Sequence, residues 1–383
     1  MQTMEIRHEM CYNTNMGTFP MCFYQISDRK GDFLMYEAYM PYVTEVLRGI
    51  LAKDSPSGFT RQAADYAMEQ FRALGYAPKL TNKGGVFCEI GGAENSEKGG
   101  LLLSAHIDTL GAMVQQIKGN GRLQLKNIGG LMASNVETEF VNVYTRDGRT
   151  YEGTIQLANA SSHVNGAVGS TVRTFDNVEV VLDEDVKSAE DVKALGIETG
   201  CYVCVNPKTV ITESGYIKSR FLDDKLSAAI LLGIAKWIKE EKIELPRKVY
   251  MHFTVYEEIG HGAAGIRPDG VNEILGVDMG CVGDGLACTE KDVSICAADS
   301  AGPYDYDINC RLIALAKENE LSYAVDVYPH YSSDCTVAVH CFDVRQALIG
   351  AGVYASHGYE RSHLEGVKNT FALLCAYLQD TKE

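Results

Sequence analysis

Apolar residues recur along the chain in two alternating patterns, one with helical spacing and one with the short continuous runs of buried strands. Helical spacing occurs over 34–52, 60–74, 225–240, 306–318 and 364–379. Strand-like runs occur over 77–80, 86–90, 100–105, 249–256, 273–277, 293–297, 322–327 and 347–349. This alternation predicts an α/β fold with a largely parallel or mixed sheet flanked by helices.

The pattern changes between residues 114 and 217, where short strands and turns dominate. Gly119-Asn-Gly121 and Arg146-Asp-Gly148 are turn signals, and one short helix is predicted over 188–195. We therefore expect a small β-rich domain inserted into the α/β domain. The predicted division is a first catalytic part over 1–113, the inserted β-rich domain over 114–217, and a second catalytic part over 218–383.

Composition narrows the possible partners. The chain of 383 residues has a formal net charge of -16, which argues against nucleic acid or an anionic membrane as a partner. No apolar run approaches the roughly 18 residues that a membrane-spanning helix needs. Residues 1–32 predict no more than a short strand or arm and lack the apolar core of a signal peptide. The 12 cysteines are therefore expected to be reduced, in a cytoplasmic protein.

Acidic residues and histidines fall at the predicted strand ends and at one helix start. They are His106, Asp108, Asp223, Glu257, Glu258, Asp278 and a late histidine. In a parallel sheet these ends meet at one edge. Adjacent glutamates on an extended backbone point in opposite directions, so one can hold a metal while the other faces substrate. Such a ligand set suits two divalent ions such as zinc, cobalt or manganese.

The motifs around these residues resemble those of the M42 family of dinuclear metallo-aminopeptidases. His106-Ile-Asp-Thr-Leu-Gly-Ala-Met-Val resembles the family's His-x-Asp-x-x-Gly-x-Met-Val segment. Ser219-Arg-Phe-Leu-Asp223-Asp-Lys-Leu and Glu257-Glu258-Ile-Gly are similar to its Ser-Lys-Ala-Leu-Asp-Asn-Arg and Glu-Glu-Val-Gly. The resemblance runs from about residue 35 to the C-terminus and keeps the order and spacing of the motifs.

The resemblance implies a role for each matching residue. His106, Asp223 and Asp278 would hold one ion, and Asp223 would bridge to a second ion held also by Glu258 and a late histidine. Glu257 would be the general base and Asp108 the residue that orients His106.

For the last ligand we favour His363, because it stands after an Arg and just before the final helix; His357 is the alternative. Ser332-Ser-Asp334 resembles the family's Gly-Thr-Asp, which would place Asp334 near the substrate.

The implied activity is removal of N-terminal residues from peptides, by water activated between two ions and a proton transfer through Glu257. The resemblance also implies self-association through the inserted domain, from dimers to large hollow assemblies. An M20-like dipeptidase or deacylase is the nearest alternative, although its inserted domain alternates strands and helices. A non-catalytic metal-binding interaction protein is another alternative, but it would have no need of Glu257.

An alternative from a different class is a dinucleotide-binding domain. Gly260-His-Gly262-Ala-Ala-Gly265 matches the GxGxxG pattern after a strand, with Asp278 downstream. Two features argue against it. Glu257 and Glu258 would repel a pyrophosphate, and the segment continues into an Arg-Pro turn instead of the required helix.

Overall fold

The computed structural model describes residues 36–94 and 96–382, so the predicted arm over 1–32 and the start of the predicted helix over 34–52 lie outside the described residues. The α-helices within the described part are α1 (Met40–Leu51), α2 (Arg61–Ala73), α3 (Ala189–Ala194), α4 (Leu222–Glu240), α5 (Tyr306–Glu318), α6 (Asp334–Cys341) and α7 (Leu364–Leu378). Short 3-10 turns occupy Ala133–Asn135 and Glu257–Ile259.

The strands of the described residues form one large sheet and one barrel. They are β1 (Lys79–Leu80), β2 (Val86–Gly91), β3 (Gly100–His106), β4 (Gly111–Ile117), β5 (Leu123–Ile128), β6 (Phe140–Tyr144), β7 (Thr150–Leu157), β8 (Val178–Leu182), β9 (Tyr202–Val205), β10 (Val210–Ile211), β11 (Tyr216–Ser219), β12 (Val249–Thr254), β13 (Val271–Val277), β14 (Gly280–Val282), β15 (Val293–Asp299), β16 (Gly302–Pro303), β17 (Tyr323–Val327), β18 (Arg345–Tyr354) and β19 (Glu360–His363).

Four parallel strands form the centre of the large sheet, in the order β12, β3, β13, β18. Antiparallel strands extend it at both sides: β2 pairs with β12, while β15 and β19 pair with β18. Every residue of β3 is buried, as expected of a central strand with both faces covered. The sheet is therefore mixed with a parallel centre.

Helices cover both faces of this sheet. Leu101 and Leu103 of β3 belong to the larger apolar core, which includes residues of α1, α4 and α7. Leu102, whose side chain points to the opposite face, belongs to a second core with Cys335 and Ala338 of α6. Helix α4 is buried almost all round, including Trp237 at 0% exposure, because it lies between the sheet and the outer helices α1 and α7.

The inserted segment folds as a closed six-stranded barrel in the order β4, β5, β8, β7, β6, β9. Its strand pairs are all antiparallel. The barrel strands run from Gly111 to Val205, whereas β10 and β11 pair through β19 with the large sheet. The residues of the barrel therefore do not coincide with the range 114–217 that the change of pattern predicts. The difference arises because β10 and β11, within residues 210–219, are hydrogen-bonded to the large sheet.

The architecture confirms the predicted fold class, an α/β domain with a mixed sheet and a small inserted β domain. A barrel is also unlike the alternating strands and helices expected of an M20-like insertion. None of the helices in residues 36–94 and 96–382 combines the length and apolar character that crossing a bilayer requires.

Candidate metal centre

The candidate site lies at the carboxyl edge of the parallel strands. His106 ends β3, Glu257 and Glu258 form the turn that follows β12, and Asp278 follows β13. Asp223 lies in the first turn of α4, where the backbone is not helical. Because β12, β3, β13 and β18 are parallel, their carboxyl ends open on one side, where open α/β sheets bind ligands.

One group of possible ligands consists of His106, Asp223 and Asp278, whose ligand atoms all lie within 4.8 Å of one another. His106 Nε2 is 3.0 Å from Asp223 Oδ1. The other ring nitrogen, Nδ1, lies 2.9 Å from the backbone carbonyl oxygen of Asp108. That contact fixes the imidazole with Nε2 directed at the carboxylates.

A second group consists of Asp223, Glu258 and His357, again within 4.8 Å of one another. His357 Nε2 lies 3.6 Å from Asp223 Oδ2 and 3.5 Å from Glu258 Oε2. Asp223 therefore directs one carboxylate oxygen toward His106 and the other toward His357. A carboxylate shared in this way is the arrangement that a bridging ligand requires.

The structure does not bring His363 into either group. His363 caps α7: its Nδ1 accepts a hydrogen bond from the Glu365 amide at 3.0 Å, and its Nε2 lies 2.9 Å from the Ser214 carbonyl oxygen. Both ring nitrogens thus have partners in the chain. The preference for His363 as the last ligand is corrected: of the two late histidines, His357 lies with the acidic cluster.

Glu257 stands beside the first group without belonging to either. Its Oε2 is 3.6 Å from His106 Nε2, and its side chain faces the cavity above the cluster. Burial, together with the carboxylates of Asp278, Asp334 and Glu258, holds the pKa of Glu257 well above its usual range, against the opposing effect of His106. A largely buried carboxyl of raised pKa that still faces a cavity is suited to proton transfer.

The Asp108 carboxylate contacts the glutamate pair more closely than it contacts the histidine ring. It accepts hydrogen bonds from the Glu257 amide at 3.2 Å and from the Glu258 amide at 3.4 Å, and a third from the Ser57 hydroxyl. Its distance to His106 Nδ1 is 3.6 Å. The His106 ring is thus in contact with the backbone carbonyl oxygen of Asp108, whereas the Asp108 carboxylate holds the turn that carries both glutamates.

Asp334 lies beneath the glutamate turn. It is buried at 5% exposure and accepts hydrogen bonds from the Thr254 hydroxyl and from the Ala263 amide, the latter at 2.7 Å. A Cβ on Gly262 would lie 2.3 Å from Asp334 Oδ1, so only glycine permits this approach. Asp334 does not line the cavity. Its contacts in the structure support the loop after β12, and a position near the substrate stays a prediction.

The dinucleotide-binding alternative fails on the same segment. Residues 260–270 form turns, and the chain then enters β13, so no helix begins where the GxGxxG fingerprint needs one. The glycine at 262 instead accommodates the Asp334 carboxylate. A pyrophosphate would also lie close to several carboxylates.

Sequence reasoning missed Glu360. This carboxylate, 2% exposed, accepts a hydrogen bond from the Asp223 amide at 3.2 Å and another from the His357 amide at 3.2 Å. It therefore fixes the backbone of two residues of the second group. The sequence shows only that an acidic residue stands between two histidines in His357-Gly-Tyr-Glu-Arg-Ser-His363. It does not indicate which backbone amides that carboxylate binds.

Glu360→Gln is expected to lower the affinity for the second ion by about 10- to 100-fold, because one of the two backbone amides loses its hydrogen-bond acceptor. The measurement is a calorimetric titration of the chelator-stripped protein with zinc or manganese. Glu365→Gln is the matched control, since Glu365 is an exposed acid in the same segment, paired with Lys291. Equal ion affinity in Glu360→Gln and the control would show that Glu360 does not position the ligands.

The electrostatics of the cluster fit cations. Burial raises the pKa of Asp278 to about 7, with a further increase from Asp223, and burial and Asp223 also hold the pKa of Glu258 well above its usual range. Burial alone would lower the pKa of His106, but the carboxylates of Glu257, Asp223 and Asp278 raise it well above its usual value. The cluster thus holds more carboxyl groups than its two imidazoles can pair with, and the mixed carboxylate and imidazole donors suit zinc, cobalt or manganese.

Residues 84–373 match the family described as M42 glutamyl aminopeptidase, and the chain belongs to this peptidase family. The resemblance read from the motifs is thereby confirmed, and the protein is a peptidase of the M42 aminopeptidase family.

Relatives and solved structures agree with this assignment. The protein named "Putative aminopeptidase YhfE" of Bacillus subtilis (strain 168) is 39% identical over 336 residues, which cover 88% of this chain and 96% of that protein. A glutamyl aminopeptidase of Lactococcus lactis subsp. cremoris (strain MG1363) is 24% identical over 227 residues, 59% of this chain and 62% of that protein.

The fold is similar to that of solved aminopeptidases. A TET aminopeptidase from the marine sediment archaeon Thaumarchaeota archaeon SCGC AB-539-E09 aligns with a TM-score of 0.79 at 18% identity, covering 89% of this chain and 97% of that chain. The TET1 peptidase of Pyrococcus horikoshii, described as assembling into a tetrahedron or a large octahedral shell, aligns with a TM-score of 0.76 at 20% identity, covering 88% and 99%.

Proposed function

We propose that the protein is a metal-dependent aminopeptidase that holds two divalent ions and releases N-terminal residues from peptides. One observation carries the proposal: two groups of ligand atoms share Asp223, with Glu257 beside them and outside both. A pure metal binder would need the ligands but not this additional carboxylate.

In this proposal His106, Asp223 and Asp278 hold one ion, and Asp223, Glu258 and His357 hold the other. Zinc, cobalt and manganese all suit these donors. When bound, such ions supply Lewis-acid chemistry, lowering the pKa of water and polarising a carbonyl oxygen.

Glu257 carries the proton. Its carboxylate faces the cavity, where it can accept a proton from the attacking water and return it to the departing amine. Asp108 contributes by holding the amides of Glu257 and Glu258, so the base and one ligand are fixed by the same carboxylate. Asp108 is therefore a positioning residue in this proposal.

We also propose that the chain self-associates through its inserted domain. The similarity to TET1, described as assembling into a tetrahedron or a shell, supports this. The barrel segment also exposes apolar side chains, with Phe140 at 60%, Val164 at 76% and Val172 at 78% exposure. These apolar side chains would be covered if another copy packed against the barrel segment.

We place the protein in the cytoplasm. All ten cysteines within residues 36–94 and 96–382 are free, and seven of them are buried. Reduced, buried cysteines in a chain of this size are typical of a reducing compartment.

The test is release of N-terminal residues by chelator-stripped protein with and without restored zinc, cobalt or manganese. We expect release from aminoacyl-p-nitroanilides and short free peptides only after an ion is restored, with full activity at two ions per chain. N-acetylated copies of the same peptides are the matched control and should be resistant. Cleavage of the N-acyl compounds alone would instead favour the M20-like deacylase.

A further inference from the structure

We infer that the cavity selects peptides whose N-terminal residue carries an uncharged side chain of the size of leucine or methionine, and disfavours acidic ones. This inference rests on the proposed function. It departs from the glutamyl specificity in the description of the family.

The walls carry no fixed cation. The cavity has a volume of about 520 Å³ and opens above the two ligand groups. Among the described residues that line it there is no lysine or arginine, and the only basic side chains are the imidazoles of His330 and His357. His357 is committed to the ligand cluster. A glutamate side chain entering the cavity would find no guanidinium or ammonium partner.

The floor of the cavity is rich in carboxyl groups. Those in or beside the ligand cluster are Asp108, Asp223, Glu257, Glu258, Asp278, Asp334 and Glu360. An incoming carboxylate would lie beside these acidic groups with no lysine or arginine on the lining to pair with. Placing an unpaired charge in such a site is unfavourable, and a neutral side chain escapes the cost.

The same walls offer nothing specific to a basic side chain. Away from the ligand cluster and Glu257, the lining has no carboxylate; its polar members are hydroxyls such as Ser300, Ser332 and Ser356. The carboxylates of Asp108 and Glu360 are taken up by backbone amides. A lysine ammonium would lose water without gaining an ion pair on the wall.

Sulfur-bearing and aromatic side chains supply the apolar part of the lining. Met279 is 2% exposed and Met132 is 49% exposed, and Cys281 lies near Met279 on β14. Tyr331 completes this wall, and its hydroxyl donates a hydrogen bond to the Met279 carbonyl at 3.3 Å. Thioethers adapt their shape to aliphatic groups, so this lining fits the side chains of leucine and methionine.

The first arm of the test compares kcat/KM for the Leu, Met, Glu and Lys p-nitroanilides on the metal-restored protein. We expect the Leu and Met substrates to exceed the Glu and Lys substrates by at least about tenfold. If the Glu or Lys substrate were cleaved as fast as the Leu and Met substrates, or faster, the inferred specificity would be overturned while the proposed function would stand. If none of the four substrates were cleaved with two ions bound, both the proposed function and this inference would be overturned.

The second arm adds a cation to the wall. Ser332→Arg places a guanidinium on the cavity lining at an exposed position outside both ligand groups, and Ser332→Gln is a matched neutral control of similar reach. We expect the arginine variant to raise the ratio of Glu to Leu cleavage by about tenfold over the glutamine variant. An unchanged ratio in a folded, metal-loaded Ser332→Arg would show that wall charge does not govern selection and would overturn the inference.

Discussion

Glu257→Gln is expected to lower kcat for peptide release by about 10²- to 10⁴-fold while both ions remain bound. The amide has nearly the shape of the carboxylate but cannot accept the proton of the attacking water. Glu257 belongs to neither ligand group, so the substitution leaves all six donor contacts of the two groups in place. The measurement pairs kcat and KM on the preferred p-nitroanilide with metal content by mass spectrometry.

The matched control is Glu258→Gln, which changes the neighbouring residue on the same turn. Because Glu258 lies in the second ligand group, this variant should lose affinity for one ion. The two substitutions therefore separate proton transfer from ligation. Loss of an ion in Glu257→Gln would reassign Glu257 as a ligand, and activity close to that of the unmodified enzyme would show that another group moves the proton.

Much of the site can be predicted from the sequence because the ends of parallel strands lie at one edge of a sheet. The continuous apolar run of β3 predicts a strand buried on both faces, and such strands belong to parallel sheets. Parallel strands place their carboxyl ends together, which predicts that the polar residues after β3, β12 and β13 lie at one edge of the sheet. His106 and Asp278 fall in one ligand group, and Glu258 falls in the other group, which shares Asp223 with the first. Strand periodicity and the position of polar residues after each strand were enough for this part.

The parts that could not be predicted depend on contacts distant in the chain. Glu360 bonds an amide 137 residues away, and Asp334 bonds the Ala263 amide 71 residues away. A carboxylate that binds a backbone amide needs no particular residue type as its partner, so the sequence carries no mark of the pairing. The end of the barrel is similar, because only hydrogen-bond pairing shows that β10 and β11 belong to the large sheet.

The choice between His357 and His363 failed for a related reason. A residue just before a helix is as well placed to cap the helix as to bind a metal. His363 is a cap, because its ring nitrogen accepts a hydrogen bond from the Glu365 amide. His357 lies in the loop between β18 and β19, at φ 62°, a left-handed conformation that is uncommon for residues other than glycine. The parallel pairing of β18 with β13 carries this loop to the acidic edge.

His357→Ala is therefore expected to reduce the tightly bound ions from two per chain to one, and to lower kcat/KM by at least about 10²-fold. His363→Ala should keep both ions and lose about 1 kcal/mol of the free energy of unfolding, because the α7 cap is removed. The measurements are metal content after dialysis against a weak chelator, kcat/KM, and urea unfolding of the metal-free proteins. Loss of an ion in His363→Ala with two ions retained in His357→Ala would restore the sequence-based assignment. The expected split instead ties the second ion to the one late histidine whose ring nitrogen faces both Asp223 and Glu258.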